Sequence, residues 1–286
     1  MRIRERERER EREIQTTCQC PKCKVDASWV AGHSDFAERN VYWCNACSYG
    51  FVNPLPDDSF LATHYSKEYR SKAIFSDAYV QIMQNRAKAQ LEYITNAIGT
   101  LPKGRIIDIG CGIGAFVRLC NASGFAALGV EMDPVATEFG KAHMTPAIFS
   151  EIPEKIKQVS GVVLSHVIEH LPSPEETLLQ YLNFPGIGFF FIEVPNCTSE
   201  SIRLLEHESH LHFFTPESLR ATLESLPIEV VALDVFGPNM AKEISRTLFT
   251  NYIPPHAHPW DGLYGMKDPH GLWIRAVCKC SNKEIL

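Results

Sequence analysis

The sequence predicts an α/β fold with a doubly wound, mostly parallel sheet of seven strands, preceded by a small cysteine-rich module. Short apolar segments alternate with amphipathic segments from residue 105 to residue 278, which is typical of a parallel sheet covered by helices on both faces. Two Cys-x-x-Cys pairs precede this region and are separated by residues 24–43. We therefore expect a ligand beyond the carboxyl ends of the strands, as in other open α/β sheets.

Composition narrows the class of protein. The chain has 286 residues and 45% hydrophobic content, enough for a full α/β core and a small accessory module. Its net charge of −6 gives no general attraction to nucleic acid or to an anionic membrane. No apolar run reaches the roughly 18–20 residues that span a bilayer, and the N-terminus lacks the apolar core of a signal peptide. We expect a cytoplasmic protein with no membrane partner, whose ten cysteines are metal ligands and buried thiols.

The N-terminus alternates arginine and glutamate almost perfectly between Arg2 and Glu13. In a helix this period places like charges four residues apart, and in a strand it leaves nothing apolar to bury. We therefore predict a solvated, disordered tail over residues 1–17.

A zinc ribbon is predicted for residues 18–53. Two Cys-x-x-Cys pairs supply the four thiolates of a tetrahedral zinc site, and their spacing matches that of zinc ribbons. Residues 29–43, between the pairs, have the character of a hairpin. Four protein ligands leave no open coordination position, so we expect the zinc to be structural. The predicted ligands are Cys20, Cys23, Cys44 and Cys47, with Cys18 as an alternative to Cys20.

Residues 54–100 are predicted to form a helical lid or linker. A helix over residues 59–69 is followed by a longer amphipathic helix that ends at Gly99 and Pro102. Four aromatic side chains of this segment either pack on the core or cover a bound ligand: Tyr65, Tyr69, Phe75 and Tyr79.

Residues 105–115, RIIDIGCGIGA, are the most informative part of the chain. A buried strand over residues 105–109, which carries Asp108, leads into three glycines, which allow positive φ and close approach of a ligand to the backbone. A second strand ends in acidic residues, where Glu131 is placed to accept hydrogen bonds from ribose hydroxyls. Gly110 and Gly112 also satisfy the dinucleotide pattern G-x-G-x-x-G/A. However, a pyrophosphate disfavours a neighbouring carboxylate, whereas Asp108 suits a cationic, nucleotide-like ligand.

The remaining strands and helices are expected at regular intervals after this turn. The second strand lies within residues 125–133, and the other predicted strands are residues 146–149, 161–164, 187–194, 230–236 and 273–278. The predicted helices are residues 134–143, 174–182 and 216–226. An insertion at residues 252–270, rich in Pro, His, Trp and Tyr, either shapes an acceptor pocket or forms a surface loop.

The order of the motifs resembles one family. The D-x-G-x-G-x-G turn, the acidic second strand and then HVIEHLPSP, EVPN and H-x-HFFTPESL are similar to class I S-adenosylmethionine (SAM)-dependent methyltransferases of the methyltransferase-domain-23 group. The resemblance covers residues 18–237 and implies a Rossmann-like methyltransferase domain over residues 101–286. It implies SAM as methyl donor, held by Asp108, Gly110, Cys111, Gly112, Gly114, Glu131, Met132, Ser150 and His166.

A cluster of titratable residues follows the predicted fourth strand. His166, Glu169 and His170 lie at its end, and His210 and His212 lie on the loop after the fifth strand. Methyl transfer to a hydroxyl requires alignment of the nucleophile and removal of its proton, and a histidine suits the second task. We predict His170 or His212 as the base, with Glu169 beside it. Alternatively, Glu169 and His170 with one of the other histidines hold a divalent ion that acidifies the hydroxyl.

The leading hypothesis is a SAM-dependent methyltransferase of a small molecule, acting on an oxygen of a sugar or secondary metabolite, since many members of the resembled group belong to such pathways. An rRNA base methyltransferase with a zinc module is an alternative that the acidic charge disfavours. A non-catalytic SAM-binding or zinc-ribbon interaction protein is a third.

Overall fold

A computed structural model of the chain describes residues 16–67, 75–154, 156–204, 207–239 and 264–280. Residues 1–15 of the predicted tail and most of the insertion at 252–270 lie outside the described residues, as does Tyr69 of the predicted lid. Thr17, predicted as the last residue of the tail, begins a strand. No helix within the described ranges is long and apolar enough to cross a membrane.

Seven strands form the main sheet. Their bounds are β5 Arg105–Ile109, β6 Ala127–Val130, β7 Ile148–Phe149, β8 Val159–Ser165, β9 Phe189–Pro195, β11 Ile228–Asn239 and β12 Gly271–Cys280. They lie in the order β11-β12-β9-β8-β5-β6-β7. The β5–β9 part of the sheet is parallel, whereas β12 runs antiparallel to both β9 and β11. The predicted fold class, a mostly parallel seven-stranded sheet, is confirmed.

Seven α-helices and one 3₁₀ turn are described with these strands. Their bounds are α1 Asp58–Lys67, α2 Asp77–Ile98, α3 Ala115–Ala122, α4 Pro134–His143, α5 Pro174–Tyr181, α6 Ser199–Leu204 and α7 Pro216–Glu224, with the 3₁₀ turn at Ile168–His170. Local capping sets several of their starts: the side chains of Ser76, Asp133 and Thr215 accept hydrogen bonds from first-turn N–H groups of α2, α4 and α7.

The cysteine module contributes a second, antiparallel sheet. Its strands are β1 Thr17–Gln19, β2 Asp26–Gly32, β3 Asn40–Cys44 and β4 Tyr49–Asn53, and β10 His212–Phe213 completes it at the β4 edge. The sequence had placed His212 on a loop, and this was wrong, because the edge of β4 supplies pairing partners that lie far away in the chain. His212 pairs with Phe51, and Phe213 pairs with Gly50.

The main core lies between the central strands and the helices on each face. In β9, Phe189, Phe190, Phe191 and Ile192 are all fully buried, as expected for a strand covered on both faces. Gly161 of β8 makes room for one of them, since a Cβ there would lie 2.2 Å from the Phe189 ring. The core therefore places the ends of β5, β8 and β9 side by side, and these ends carry the polar residues described next.

Candidate active site

The turn after β5 is built from three glycines with positive φ. Gly110, Gly112 and Gly114 have φ of 66°, 53° and 79°, a region that side chains with a Cβ rarely adopt. A Cβ at Gly110 would also lie 2.7 Å from Cγ2 of Val167. The backbone therefore curls closely around the space at the carboxyl end of β5 and leads directly into α3.

Glu131 ties this turn to the end of β6. Its Oε2 accepts a hydrogen bond from the Gly112 N–H at 2.8 Å, and its Oε1 accepts one from the Asp133 N–H at 2.8 Å. The neighbouring Met132 is 78% exposed, and Ser150, after β7, is exposed as well. Because β5, β6 and β7 pair in parallel, the predicted cofactor residues after β6 and β7 lie at the same edge of the sheet as the turn.

A cleft opens between this turn and α2. Its floor holds Asp108, which is only 4% exposed. Burial, with the Glu131 carboxylate nearby, raises the pKa of Asp108 to about 8, although the Arg86 guanidinium opposes the shift. A cationic ligand would favour the ionised carboxylate. The cleft is lined by the glycine turn, by Ser165 and His166, and by one face of α2: Tyr79, Met83, Arg86, Ala87 and Gln90.

A charged network that sequence reasoning missed lies beneath the cleft. Glu193 on β9 is fully buried, and its Oε1 accepts hydrogen bonds from Arg86 Nε at 2.7 Å and Gln90 Nε2 at 3.1 Å. Arg86 Nη2 also donates to the Ser165 hydroxyl at 2.9 Å. These contacts fix α2 against the ends of β8 and β9. The signal in the sequence was a single acidic residue in an otherwise apolar strand, FFFIEVP.

Arg275 on β12 completes this network from the other side. Its Nε donates to Glu193 Oε2, and its guanidinium lies 4.5 Å from the centre of the Phe236 ring. Both Arg275 and Glu193 have fully buried side chains. Although burial opposes ionisation, the two arginines hold the pKa of Glu193 well below its ordinary value. The pair is therefore a buried salt bridge between neighbouring antiparallel strands.

His166 occupies a strained position where β8 ends. It has φ of 55°, which is uncommon for a residue with a Cβ. Its Nδ1 lies 3.3 Å from Glu169 Oε1, and its Nε2 lies 3.6 Å from Glu193 Oε1. Burial and Arg86 lower the pKa of His166, but these carboxylates outweigh them and raise it. Because His166 also lines the cleft, it connects the cofactor region with Glu169.

Glu169, His170 and His210 are brought together at the end of β8. One potential ligand atom from each lies within 4.8 Å of the others. Glu169 is fully buried in the 3₁₀ turn, and its backbone oxygen accepts from the Leu211 N–H at 2.8 Å, which positions His210. His170 donates from Nδ1 to the Ser209 oxygen at 3.2 Å. The sequence named all of these residues but could not select His210 over His212.

His212 has a different environment from the one expected for a base. Its Nδ1 is hydrogen-bonded to the Tyr49 hydroxyl, and its Nε2 donates to the Leu171 backbone oxygen at 2.8 Å. Burial lowers the pKa of His212 to about 4. Neither nitrogen remains to accept a proton from a substrate, so we assign His212 a structural role between β4 and the 3₁₀ turn in place of the predicted catalytic one.

The four predicted cysteine ligands converge in the N-terminal module. Their Sγ atoms are separated by 3.9 Å for Cys20 and Cys47, 3.5 Å for Cys23 and Cys44, and 3.7 Å for Cys44 and Cys47. Zinc–sulfur bonds of about 2.3 Å place the sulfur atoms of a tetrahedral site about 3.8 Å apart. The cluster is therefore compatible with a zinc ribbon.

Comparisons with known proteins agree with this geometry. A methyltransferase domain family, methyltransferase domain 23, matches residues 79–233. No curated protein matches the sequence. Among solved structures, a SAM-dependent methyltransferase from Archaeoglobus fulgidus is similar, with 20% identity, a TM-score of 0.49 and coverage of 78% of this chain and 100% of that chain.

Two further solved structures are similar at lower identity. The plantazolicin methyltransferase BpumL, in complex with SAH, shows 14% identity, a TM-score of 0.44 and coverage of 79% of this chain and 91% of that chain. A Haloferax volcanii complex of a methyltransferase with its activator Trm112 shows 14% identity, a TM-score of 0.47 and coverage of 73% and 96%. Because the family match covers more than half of the chain, the chain belongs to the methyltransferase-domain-23 family and is a methyltransferase.

Proposed function

We propose that the chain methylates a hydroxyl oxygen of a small molecule, a sugar or a secondary metabolite. The observation that carries this proposal is the cluster of Glu169, His170 and His210, which adjoins the cofactor cleft through His166. The acceptor hydroxyl is bound and deprotonated at this cluster. The acidic net charge of −6 favours a small acceptor over RNA.

In the proposed reaction, the residues around the cleft bind the methyl donor, and those of the Glu169 cluster bind the acceptor. SAM supplies an electrophilic methyl group on a sulfonium centre. Asp108 and the glycine turn line the cleft, where the carboxylate would balance the positive charge of the donor. Glu131, hydrogen-bonded to the turn at Gly112, would accept hydrogen bonds from the ribose hydroxyls. The acceptor oxygen forms a bond to the methyl carbon while the carbon–sulfur bond breaks and its electron pair returns to sulfur. The hydroxyl proton leaves at the Glu169 cluster, and the fixed geometry supplies the alignment.

The N-terminal module is proposed to hold a structural zinc ion. Cys20, Cys23, Cys44 and Cys47 would occupy all four positions of a tetrahedral site, which leaves none for a substrate. Its role is to support β4, on which β10 and the loop with His210 are built.

The test uses the full-length, zinc-loaded chain with methyl-labelled SAM. It is incubated with fractionated small metabolites and, separately, with ribosomal RNA, and labelled products are identified by mass spectrometry. We expect label in an O-methylated small molecule and none in RNA. Label in RNA, or SAM binding without S-adenosylhomocysteine in any fraction, would overturn the proposal in favour of the RNA or the non-catalytic alternative.

A matched pair of variants assigns the reaction to the cluster. His170→Gln is expected to lower the transfer rate about 10²-fold or more, the range for loss of a proton-transfer group, with the dissociation constant of SAM changed little. Glu176→Gln, an exposed position on α5, is the control and is expected to keep full activity. Equal rates for the two variants would remove His170 from the mechanism.

SAM binding is expected to depend on the ionisation of Asp108. Its pKa of about 8 in the free protein means that the carboxyl group is largely protonated at pH 6 and ionised above pH 8. Since a cationic donor binds the ionised form, affinity should rise by up to about tenfold per pH unit below that pKa and level off above it. Calorimetry of SAM binding between pH 6 and pH 9 measures this slope. Asp108→Asn should bind weakly and without the slope, and a slope that persists in this variant would contradict the assignment.

A further inference from the structure

We infer that Glu169, His170 and His210 bind a divalent transition-metal ion, separate from the zinc of the cysteine module, that positions and acidifies the acceptor hydroxyl. The metal site stands on its own geometry, whereas the role given to the ion rests on the proposed function.

The first argument is convergence. A carboxylate oxygen and two imidazole nitrogens from Glu169, His170 and His210 lie within 4.8 Å of one another. Metal–nitrogen and metal–oxygen bonds of about 2.0–2.2 Å place ligand atoms roughly 3–4 Å apart. Small side-chain rotations therefore close the site. Two imidazoles and one carboxylate suit zinc, iron or manganese, whereas magnesium prefers oxygen ligands alone.

The second argument is the state of the Glu169 carboxylate. The residue is 0% exposed, and neither of its oxygens accepts a hydrogen bond within the described part of the chain. The imidazole nitrogen His166 Nδ1 lies 3.3 Å from Glu169 Oε1. A buried carboxylate without hydrogen bonds is costly and is normally paired or bound to a metal. A cation between Glu169 and the two histidines satisfies it.

The third argument is the support of the ligands. His170 donates its Nδ1 proton to the Ser209 oxygen at 3.2 Å, so the lone pair of the ring lies on Nε2. Such a bond from the non-ligating nitrogen is the usual second contact of a metal-bound histidine. The backbone of His210 is fixed as well, because its oxygen accepts a hydrogen bond from His33 Nε2 at 2.9 Å. The imidazoles are thus oriented by groups outside the cluster.

The location of the cluster gives the ion a function. Three protein ligands leave at least one position for an oxygen of the acceptor. His166 contacts Glu169 and also lines the cofactor cleft, so the open position lies one side chain away from the donor site. Coordination would lower the pKa of the acceptor hydroxyl, and because His170 is then a metal ligand instead of the base, the hydroxyl proton would pass to water. The oxygen then takes the methyl group, and the electron pair of the carbon–sulfur bond remains on sulfur.

The test counts and characterises bound metal in the full-length protein. The chain is stripped with a mild chelator and titrated with Co²⁺, while absorption spectra and elemental analysis are recorded. The cysteine site gives intense sulfur-to-cobalt charge-transfer bands, and a site of nitrogen and oxygen ligands gives only weak ligand-field bands. We expect about two ions per chain with both signatures, and the same stoichiometry with Zn²⁺.

Two variants locate the second ion. Glu169→Gln and His210→Asn should each lose about one ion per chain together with the weak ligand-field bands of the nitrogen–oxygen site. Both variants should keep the bands of the cysteine site and bind SAM with the wild-type dissociation constant. Glu176→Gln, on the exposed face of α5, is the matched control and should retain both ions. Since SAM binding is measured separately, a failure of the donor site is distinguished from a failure of the metal site.

A wild-type stoichiometry of one ion under Zn²⁺, Mn²⁺ and Co²⁺ would overturn the inference, and this measurement requires no variant to fold. Retention of the second ion in both Glu169→Gln and His210→Asn would overturn the assignment of its ligands.

Discussion

Glu193→Gln is expected to lower the free energy of unfolding by about 3–5 kcal/mol, the range for breaking a buried ion pair by removing one partner. Glu193 and Arg275 are both fully buried, and the guanidinium reaches the carboxylate through Nε. Neither Nη atom of Arg275 has a hydrogen-bond partner among the described residues. Neutralising Glu193 therefore leaves the buried guanidinium of Arg275 without its carboxylate partner, although the guanidinium still lies against the ring of Phe236.

The measurement is urea denaturation followed by circular dichroism, with Glu224→Gln as control. Glu224 pairs with Arg220 at 3.3 Å on the surface of α7, where both side chains are about half exposed, and such pairs contribute about 0–1 kcal/mol. The two variants make the same chemical change in opposite environments. If the free energy of unfolding falls by less than about 1 kcal/mol in Glu193→Gln, another group must stabilise the buried charge of Arg275, and the prediction is wrong. Arg86, which lines the cofactor cleft, is also hydrogen-bonded to Glu193. We therefore expect the affinity for SAM to fall together with the stability in Glu193→Gln.

Cys44→Ser is expected to lower the rate of methyl transfer about 10²-fold or more, although the cysteine is far from the glycine turn in sequence. Loss of one thiolate would remove a ligand of the proposed zinc site, which we expect to hold the module together. The module carries β4, which pairs with β10, and Tyr49 of β4 is hydrogen-bonded to His212. Release of β10 would displace His210, and a displacement of about 1 Å in a catalytic arrangement costs on the order of 10² in rate.

The control for this prediction is Cys18→Ser. Cys18 lies on β1, within the module, but is not one of the four clustered thiols. The variant should keep its zinc and its activity. SAM affinity should change little in Cys44→Ser, because β5, which carries the glycine turn, is flanked by β6 and β8 and not by the module. Full transfer activity in a zinc-free Cys44→Ser protein would contradict the structural link between the module and the site.

Much of the main fold could be predicted because its signals are local. The strand Arg105–Ile109 and the helix Pro134–His143 were predicted with the bounds that the structure has. Other strands were predicted too short: β8 runs over Val159–Ser165 and β12 over Gly271–Cys280. Their ends are defined by pairing with a neighbour rather than by their own apolar pattern. The helix α6 and the strand β10 were missed, since a six-residue helix and a two-residue strand carry almost no periodicity.

For the candidate site, too, local signals were predicted from the sequence, whereas contacts between distant parts of the chain were not. The sequence indicated the glycine turn, Asp108 and Glu131, because each belongs to one continuous strand–turn–helix unit with recognisable spacing. The sequence also named five titratable residues after the fourth and fifth predicted strands, but it did not show whether His210 or His212 lies beside Glu169. His210 precedes β10 and lies beside Glu169, whereas His212 lies on β10, where it is hydrogen-bonded to Tyr49. The pairing of β10 with β4, which joins distant parts of the chain, sets this difference.

By itself, the sequence determined the fold class and predicted a methyl donor and a four-cysteine metal site, because glycine conformation, strand periodicity and ligand spacing act over short stretches of chain. Only the tertiary structure decided that β10 joins the cysteine module to the active site, that Arg275 neutralises Glu193, and that Glu169 meets His210 rather than His212. The physical reason is that buried charges and edge strands are satisfied by whichever partner the packed core brings near. That proximity across the chain is not encoded in any local pattern.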